Sequence, residues 1–295
     1  MKLLECVPNF SEGKDKKKID AIASALQKVS GVRLLNICTD SDHNRTVFTF
    51  IGSPEDIERG AVAACGKALE VIDMREQQGV HPRIGAVDVV PFIPLKNAVM
   101  TDAVETARRF GRAFAERNGL PVYFYGEAAL VEERRELPRI RKGGYEALRK
   151  RMEDTRWVPD AGPHVLNEQS GATAVGARDF LIAFNINLAS PDLEAARKIA
   201  ETIRFSSGGM KHVKAIGVPL RSRKIVQVSM NLTNFRETPV KEVFDRVKAE
   251  AARCGVQVLE SELIGLIPEE ALMNVTPQYL MLRDFSEDRV IERHL

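Results

Sequence analysis

The sequence predicts an α/β protein of α+β type, built as two units, each a mixed β-sheet with helices packed on one face. Three observations lead there. Each half of the chain reads, in order, as strand, helix, strand, strand, helix, strand, with no repetition of the sequence itself. The 295 residues are enough for two modest domains or one large one. Hydrophobic residues at 44% and charged residues at 28% are ordinary for a globular chain that buries a core. A boundary near residue 180 gives units of residues 1–179 and 180–295, and the cleft between two such units is a common place for a ligand.

Leu3 to Val7 is a short apolar run and reads as the first strand, followed by a turn at Asn9–Gly13. From Lys16 to Val29 the apolar residues Ile19, Ile22, Ala23 and Leu26 recur at helical spacing, and Ser30-Gly31 stops the helix. Val32 to Cys38 and Thr46 to Ile51 read as strands on either side of a polar loop, residues 39–45. Ser53 is a good cap, Pro54 suits the first helical position, and Glu55 and Asp56 favour the positive helix end, so a helix runs from there to about Ile72. A buried strand ending at Pro94, a helix from about Thr101 to Asn118 and a short strand from Pro121 to Tyr125 follow.

Glu132 to Arg156 is heavily charged, with a break at Lys142-Gly143-Gly144 and a short helix after it; it reads as a solvated surface excursion. Trp157 to Thr173 is a long loop. The second half gives a strand at Phe180–Leu188, a helix started by Ser190-Pro191-Asp192, strands at Val213–Val218 and Ile225–Leu232, a helix at Pro239–Cys254, a strand at Val256–Leu263 and a short helical tail.

A net charge of +2, from 43 basic and 41 acidic residues, gives no electrostatic footprint for nucleic acid. No apolar run approaches the length of a membrane span, and the N-terminus lacks the pattern of a signal peptide. Cys6, Cys38, Cys65 and Cys254 are scattered without a C-x-x-C pair, so neither zinc nor a redox pair is expected, and reduced, mostly buried thiols in a cytoplasmic protein are.

Three polar stretches could carry chemistry. In Val80-His81-Pro82-Arg83-Ile84-Gly85-Ala86, His81 is suited to moving protons near neutral pH, Arg83 to holding a carboxylate, and Gly85 to close approach of another chain or a ligand. Taken alone, His81 reads either as catalytic or as a structural histidine. Asp88, seven residues on inside the strand, is a candidate to orient it, a contact that spacing alone does not establish. In Asp40-Ser41-Asp42-His43-Asn44-Arg45, Arg45 suits a carboxylate and Asn44 an amide-like group; an Asx-type turn, or a metal held by Asp40, Asp42 and His43, are the other readings. Gly162-Pro163-His164-Val165-Leu166-Asn167-Glu168-Gln169-Ser170-Gly171 lacks phosphate-loop spacing and reads as turn geometry or as the lining of a flat ligand, with His164 a weaker rival to His81. No G-x-S-x-G elbow is present.

Glu5-Cys6-Val7-Pro8-Asn9-Phe10-Ser11-Glu12-Gly13, Asn44-Arg45-Thr46-Val47, His81-Pro82-Arg83-Ile84-Gly85-Ala86 with Pro91-Phe92-Ile93-Pro94, Tyr125-Gly126-Glu127-Ala128-Ala129, and Ala177-Arg178 with Phe180–Leu188 resemble the glutamate formimidoyltransferases. The likeness runs in order over almost the whole chain and leaves no room for the cyclodeaminase domain of the fused animal enzymes. It implies two subdomains with a folate tunnel between them, a homodimer, and transfer of a formimino group between N-formimino-L-glutamate and tetrahydrofolate in histidine breakdown, with no metal. It places the catalytic histidine at His81 and the folate-binding segment at residues 162–171. Arg45 and Arg83 are the candidates for the substrate carboxylates, with Asp40 and Asn44 as possible assistants. Two positions depart from the family pattern. Ser170 stands where animal members carry an aromatic residue, and Cys38 where they carry an assisting aspartate. Formyl transfer between formylglutamate and 5-formyltetrahydrofolate, or folate binding without catalysis, are the alternatives.

Overall fold

A computed structural model describes all 295 residues, in two compact units, Met1–Arg178 and Asp179–Leu295. In the first unit β1 (Leu4–Cys6) and β2 (Asn9–Phe10) are two pieces of one line, interrupted at Val7-Pro8, and both lie antiparallel between β4 (Arg45–Gly52) and β5 (Val87–Pro94). The stretch expected to be a turn therefore opens with a second piece of strand. Pro8 has no N–H to give the ladder, while its carbonyl still accepts from Phe48 at 3.1 Å. β3 (Arg33–Asp40) forms the outer edge beside β4.

On the other side of β5 come β7 (Thr173–Ala177) and then β6 (Val122–Gly126), both parallel to their neighbours. The sequence reading did not find β7. Its run Thr-Ala-Val-Gly-Ala has weak strand propensity and gains its place from being buried on both faces.

Three helices cover one face of this sheet: α1 (Lys16–Gln27), α2 (Pro54–Val71) and α3 (Met100–Asn118). Asp15 caps α1, and Ser53 caps α2 by accepting from Asp56 N at 3.1 Å. Period-two alternation sends Phe48 and Phe50 of β4 and Phe92 of β5 into the core with Leu26, Ala61, Ala64, Phe110 and Phe114.

The opposite face is not bare. Two short helices, α4 (Leu137–Arg141) and α5 (Gly144–Arg151), bring Ile140, Leu148 and Met152 onto Val89, Tyr123, Tyr125 and Ala174. This corrects two expectations: helices lie on both faces of the first sheet, and residues 132–156 are not merely a solvated excursion. Three apolar anchors set among Arg and Glu fix the segment, and Arg134 is buried against Asp160. The charge run hid those anchors.

The second unit is β8 (Ile182–Leu188), α6 (Leu193–Ile203), β9 (Val213–Leu220), β10 (Ile225–Leu232), α7 (Val240–Arg253) and β11 (Val258–Ile264). The sheet order is β11-β8-β10-β9, a split βαβ pattern. Each neighbouring pair is antiparallel, so this sheet is antiparallel throughout rather than mixed: β8 and β9, the parallel pair, are separated by β10. Asp192, not Ser190, caps α6, and the tail forms 3-10 turns instead of a helix. Val228, Ile186 and Phe184 pack beneath Ile199, Val243 and Phe244.

Candidate active site

The catalytic-looking loop is held from three directions. Asp88, almost fully buried at the start of β5, accepts from Ile84 N at 2.9 Å. It also pairs with Arg141 at the end of α4. Asp88 thus ties the loop to the helical segment rather than touching His81 as an orienting partner. Arg83 enters as the second tie. Its Nε donates to Gln77 Oε1 at 2.6 Å and its two Nη atoms donate to Glu146 at 3.0 and 2.7 Å. Arg83, expected to hold a substrate carboxylate, has its fork on a carboxylate of the protein itself. The third tie runs through Gln77, whose Nε2 donates to the Asn44 carbonyl at 3.0 Å.

Asn44 links the second stretch to the first. It adopts a left-handed φ of 48°, which asparagine tolerates. Its amide donates to the Gln78 carbonyl at 2.7 Å and accepts from Gly13 N at 2.9 Å. Asn44 therefore positions the two loops. Arg45, the next residue, reaches His81: its Nη1 lies 2.6 Å from His81 Nε2. A guanidinium has only donors, so Nε2 of His81 accepts, and the ring is neutral with its proton on Nδ1. Burial, then the cations Arg45 and Arg141, hold the His81 pKa well below the usual histidine value. Burial and Arg141 likewise draw Arg45 down to about 10.

His43 carries no distinguishing signal in the sequence, yet it lies against His81. It is buried, its ring meets that of His81 edge-on with centroids 6.1 Å apart, and its Nδ1 lies 2.7 Å from Asp40 Oδ2. Asp40 is held below the ordinary carboxylate range: burial pushes it up, but its bonds to His43 and the charges of His43 and Arg45 outweigh that. The Asp40 carboxylate meets His43, and its charge also bears on Arg45, the residue that bonds His81. No group of three or more His, Cys, Asp or Glu side chains is arranged to hold a metal ion, so the metal reading of this loop has no geometry behind it. Cys38, two residues before Asp40 on β3, stands opposite Val47 and is half-buried.

The third stretch is stitched to the first by main chain. Ala86 N donates to the Ser170 carbonyl at 2.9 Å, Ala172 N to the Ile84 carbonyl at 2.9 Å, and Gly85 and Gly171 form an antiparallel bridge. A Cβ on Gly85 would stand 2.2 Å from the Ala172 carbonyl oxygen, so only glycine allows this approach. Ser170 is buried in this seam. Asn167 closes the loop, its carbonyl accepting from Gly171 N at 2.6 Å and its side chain from Ser170 N at 3.0 Å. The Gln169 carbonyl accepts from Met74 N at 2.8 Å, and Glu168 pairs with Arg149. Leu166 packs against the cluster of Ile84, Tyr123 and Ala172, whereas Pro163, His164 and Val165 are exposed. Nothing brings His164 to the His81 cluster. Gly162 sits at the far end of the loop, beside Leu120.

The structure thus gathers His81, Arg45, His43, Asp40, Arg83 and the end of the 162–171 segment in one place. Arg141 joins them, unforeseen, because its position in a charge run looked like surface.

No helix is long and apolar enough to cross a membrane. Residues 3–178 match the sequence profile of the formiminotransferase domain, N-terminal subdomain, and residues 183–292 that of the formiminotransferase domain. The chain is 43% identical to the glutamate formimidoyltransferase of Thermoplasma acidophilum, across all of this chain and 98% of that one. It is 41% identical to the glutamate formimidoyltransferase of Streptococcus pyogenes, across all of this chain and 99% of that one. With the formimidoyltransferase-cyclodeaminase of Gallus gallus it shares 45% identity, across 95% of this chain and 52% of the other.

Proposed function

The chain belongs to the formiminotransferase family, and we propose that it transfers a formimino group between N-formimino-L-glutamate and tetrahydrofolate, with His81 carrying the proton. The products are 5-formiminotetrahydrofolate and L-glutamate, a step of histidine degradation. The observation that carries the residue assignment is the neutral His81, whose Nε2 lone pair points at a donor.

The chemistry needs a group that takes a proton and gives it back. As nitrogen-5 of tetrahydrofolate bonds to the formimino carbon, His81 Nε2 accepts the proton that nitrogen loses. As the carbon–nitrogen bond to glutamate breaks, the same proton goes to the departing amine. General base and acid action of this kind is worth about 10²- to 10⁴-fold. Holding both substrates in place supplies a comparable or larger share. Arg45 is the carboxylate ligand in this reading, and Arg83 stays with Glu146 as a brace. Residues 162–171 line the folate, with exposed Val165 offering an apolar surface.

The division at residues 1–179 and 180–295, a homodimer and a cytoplasmic location belong to the same proposal. Sedimentation at micromolar concentration tests the dimer.

A spectroscopic transfer assay with N-formimino-L-glutamate and tetrahydrofolate, run beside one with the formyl donor, tests the function. Wild type should use the formimino donor, and His81→Ala should lose about 10²- to 10⁴-fold in kcat at unchanged melting temperature. Near wild-type turnover in a folded His81→Ala protein would remove the assignment.

A further inference from the structure

Three arginines surround His81, and their charges are not equally matched. Arg83 is paired with Glu146 at 2.7 Å and Arg141 with Asp88, but Arg45 has no carboxylate within ion-pair distance. The acids nearby are already engaged: Asp40 by His43, Asp88 by Arg141 and the Ile84 amide, Glu146 by Arg83. Arg141 is itself incompletely satisfied, because its Nε is buried without a hydrogen-bond partner. A buried donor left unmade is costly, and more so on a charged group. The charges of both arginines, one without a carboxylate and one with an unmet donor, bear on the same imidazole.

Resting on the transfer reading above, we propose that Arg45 and Arg141 form one cradle for a carboxylate of the formimino-amino-acid donor. That carboxylate, by drawing Arg45 off Nε2, frees His81 to take the proton. The role given to Arg141 is that of a substrate ligand, and Arg45 becomes both mask and ligand.

The energetics favour the exchange. A bond from guanidinium to carboxylate carries charge on both partners and can be two-pronged, whereas the bond to a neutral imidazole carries charge on the donor alone and has a single prong. The groups facing His81 are Arg45 from β4, Arg141 from α4, His43 from the β3–β4 turn and Arg83 from its own loop, with Cys38 beside Arg45. In the empty site every cation among them disfavours a proton on His81. A bound carboxylate adds the missing negative charge and removes the donor from the lone pair, and both changes make the ring a stronger base. The base is then strong only when the donor is present.

The test follows His81 itself, in full-length protein carrying 15N-histidine, titrated by NMR with and without saturating L-glutamate, the carboxylate product. His81→Gln assigns the resonances. Glutamate should raise the His81 pKa by about one unit, a tenfold gain in proton affinity. The double variant Asp88→Asn/Arg141→Gln removes the fork without leaving a buried charge alone. It should bind glutamate about tenfold more weakly and raise KM for the donor by a similar factor, leaving KM for tetrahydrofolate within about twofold. Arg141→Lys, which keeps a cation for Asp88, should show the same pattern to a smaller degree if the double variant does not fold. Glutamate binding to wild type that leaves the His81 titration unmoved would overturn the unmasking. Wild-type glutamate affinity in folded Arg141 variants would overturn the cradle. A wild-type protein that transfers no formimino group would sink the underlying reading instead.

Discussion

Arg45 Nη1 lies 2.6 Å from His81 Nε2, and this contact fixes the protonation state of both side chains. The arginine keeps its proton and the histidine cannot gain one at that nitrogen without losing the bond.

The first prediction concerns pH. Burial and the neighbouring cations hold His81 well below 6.5, so the free protein keeps a neutral base at pH values where an ordinary histidine is charged. The profile of kcat/KM should stay flat from pH 8 to below 6.5 and fall only in more acid buffer. The same depression has a stability cost with a definite sign. Below pH 6.5 the unfolded chain binds a proton at this histidine and the folded one does not, so folding weakens as pH drops. Neither effect operates above 6.5. An acid limb of kcat/KM centred at 6.5 or above would contradict the geometry.

Gly85 tests whether the 162–171 segment belongs to the same machine as His81. An added methyl would lie 2.2 Å from the Ala172 carbonyl and 2.6 Å from the Ser170 carbonyl, both main chain. The strands must part, which breaks the Ala86–Ser170 and Ala172–Ile84 bonds. Gly85→Ala should cost about 2–3 kcal/mol in urea unfolding, as overpacking does. KM for tetrahydrofolate should rise more than KM for the donor. Equal changes in both constants would detach the segment from folate binding.

Much of this was legible from residues 1–130. The helix carried by Ser53, Pro54 and the Ala stripe, and the strands around Phe48 and Phe92, follow from caps and periodicity, which are local signals. The seam between Gly85 and Gly171 is not local: 86 residues separate the two glycines, and no spacing rule joins them. β7 stayed hidden because its small residues owe their strand state to neighbours. Arg141 stayed hidden because one functional arginine among many charged residues carries no distinguishing pattern, and only Ile140, Leu148 and Met152 reveal that its segment packs down. His43, in sequence only one member of a polar loop, is an imidazole with its Nδ1 on Asp40.

Glu5 yields a prediction independent of catalysis. It is buried in β1, between Ile51 and Ile93, and burial lifts its pKa from 4.5 to about 7 against the opposing charge of Arg178. The folded state therefore binds the proton more tightly than the unfolded one. Stability is full below pH 4.5, declines as pH rises to about 7, and stays lowered above it. The shift corresponds to a loss on the order of 3 kcal/mol at 1.36 kcal/mol per unit. Glu5→Gln, which stays neutral, should raise unfolding free energy at pH 8 by about 1–3 kcal/mol and change nothing near pH 4. A pH-independent difference would mean that the carboxyl is ionised in the fold.

Cys38 marks the position where the family resemblance expects an assisting aspartate, and the structure gives that exchange a readable consequence. Cys38 lies on β3 two residues before Asp40, whose strand partner is Arg45, and a negative charge on Cys38 is felt by the Arg45 guanidinium. Asp40 does not serve Arg45 as a direct partner because its carboxylate is turned to His43. Cys38→Asp should therefore give Arg45 a resident anion that competes with His81 for its N–H groups. With the mask loosened and a negative charge nearby, the His81 pKa should rise toward 6.5, moving the acid limb of kcat/KM up by about one pH unit. KM for the donor should rise as well, since its carboxylate must now displace one already in place. A pH profile that overlays the wild type would show that the charge at position 38 does not reach the Arg45–His81 pair.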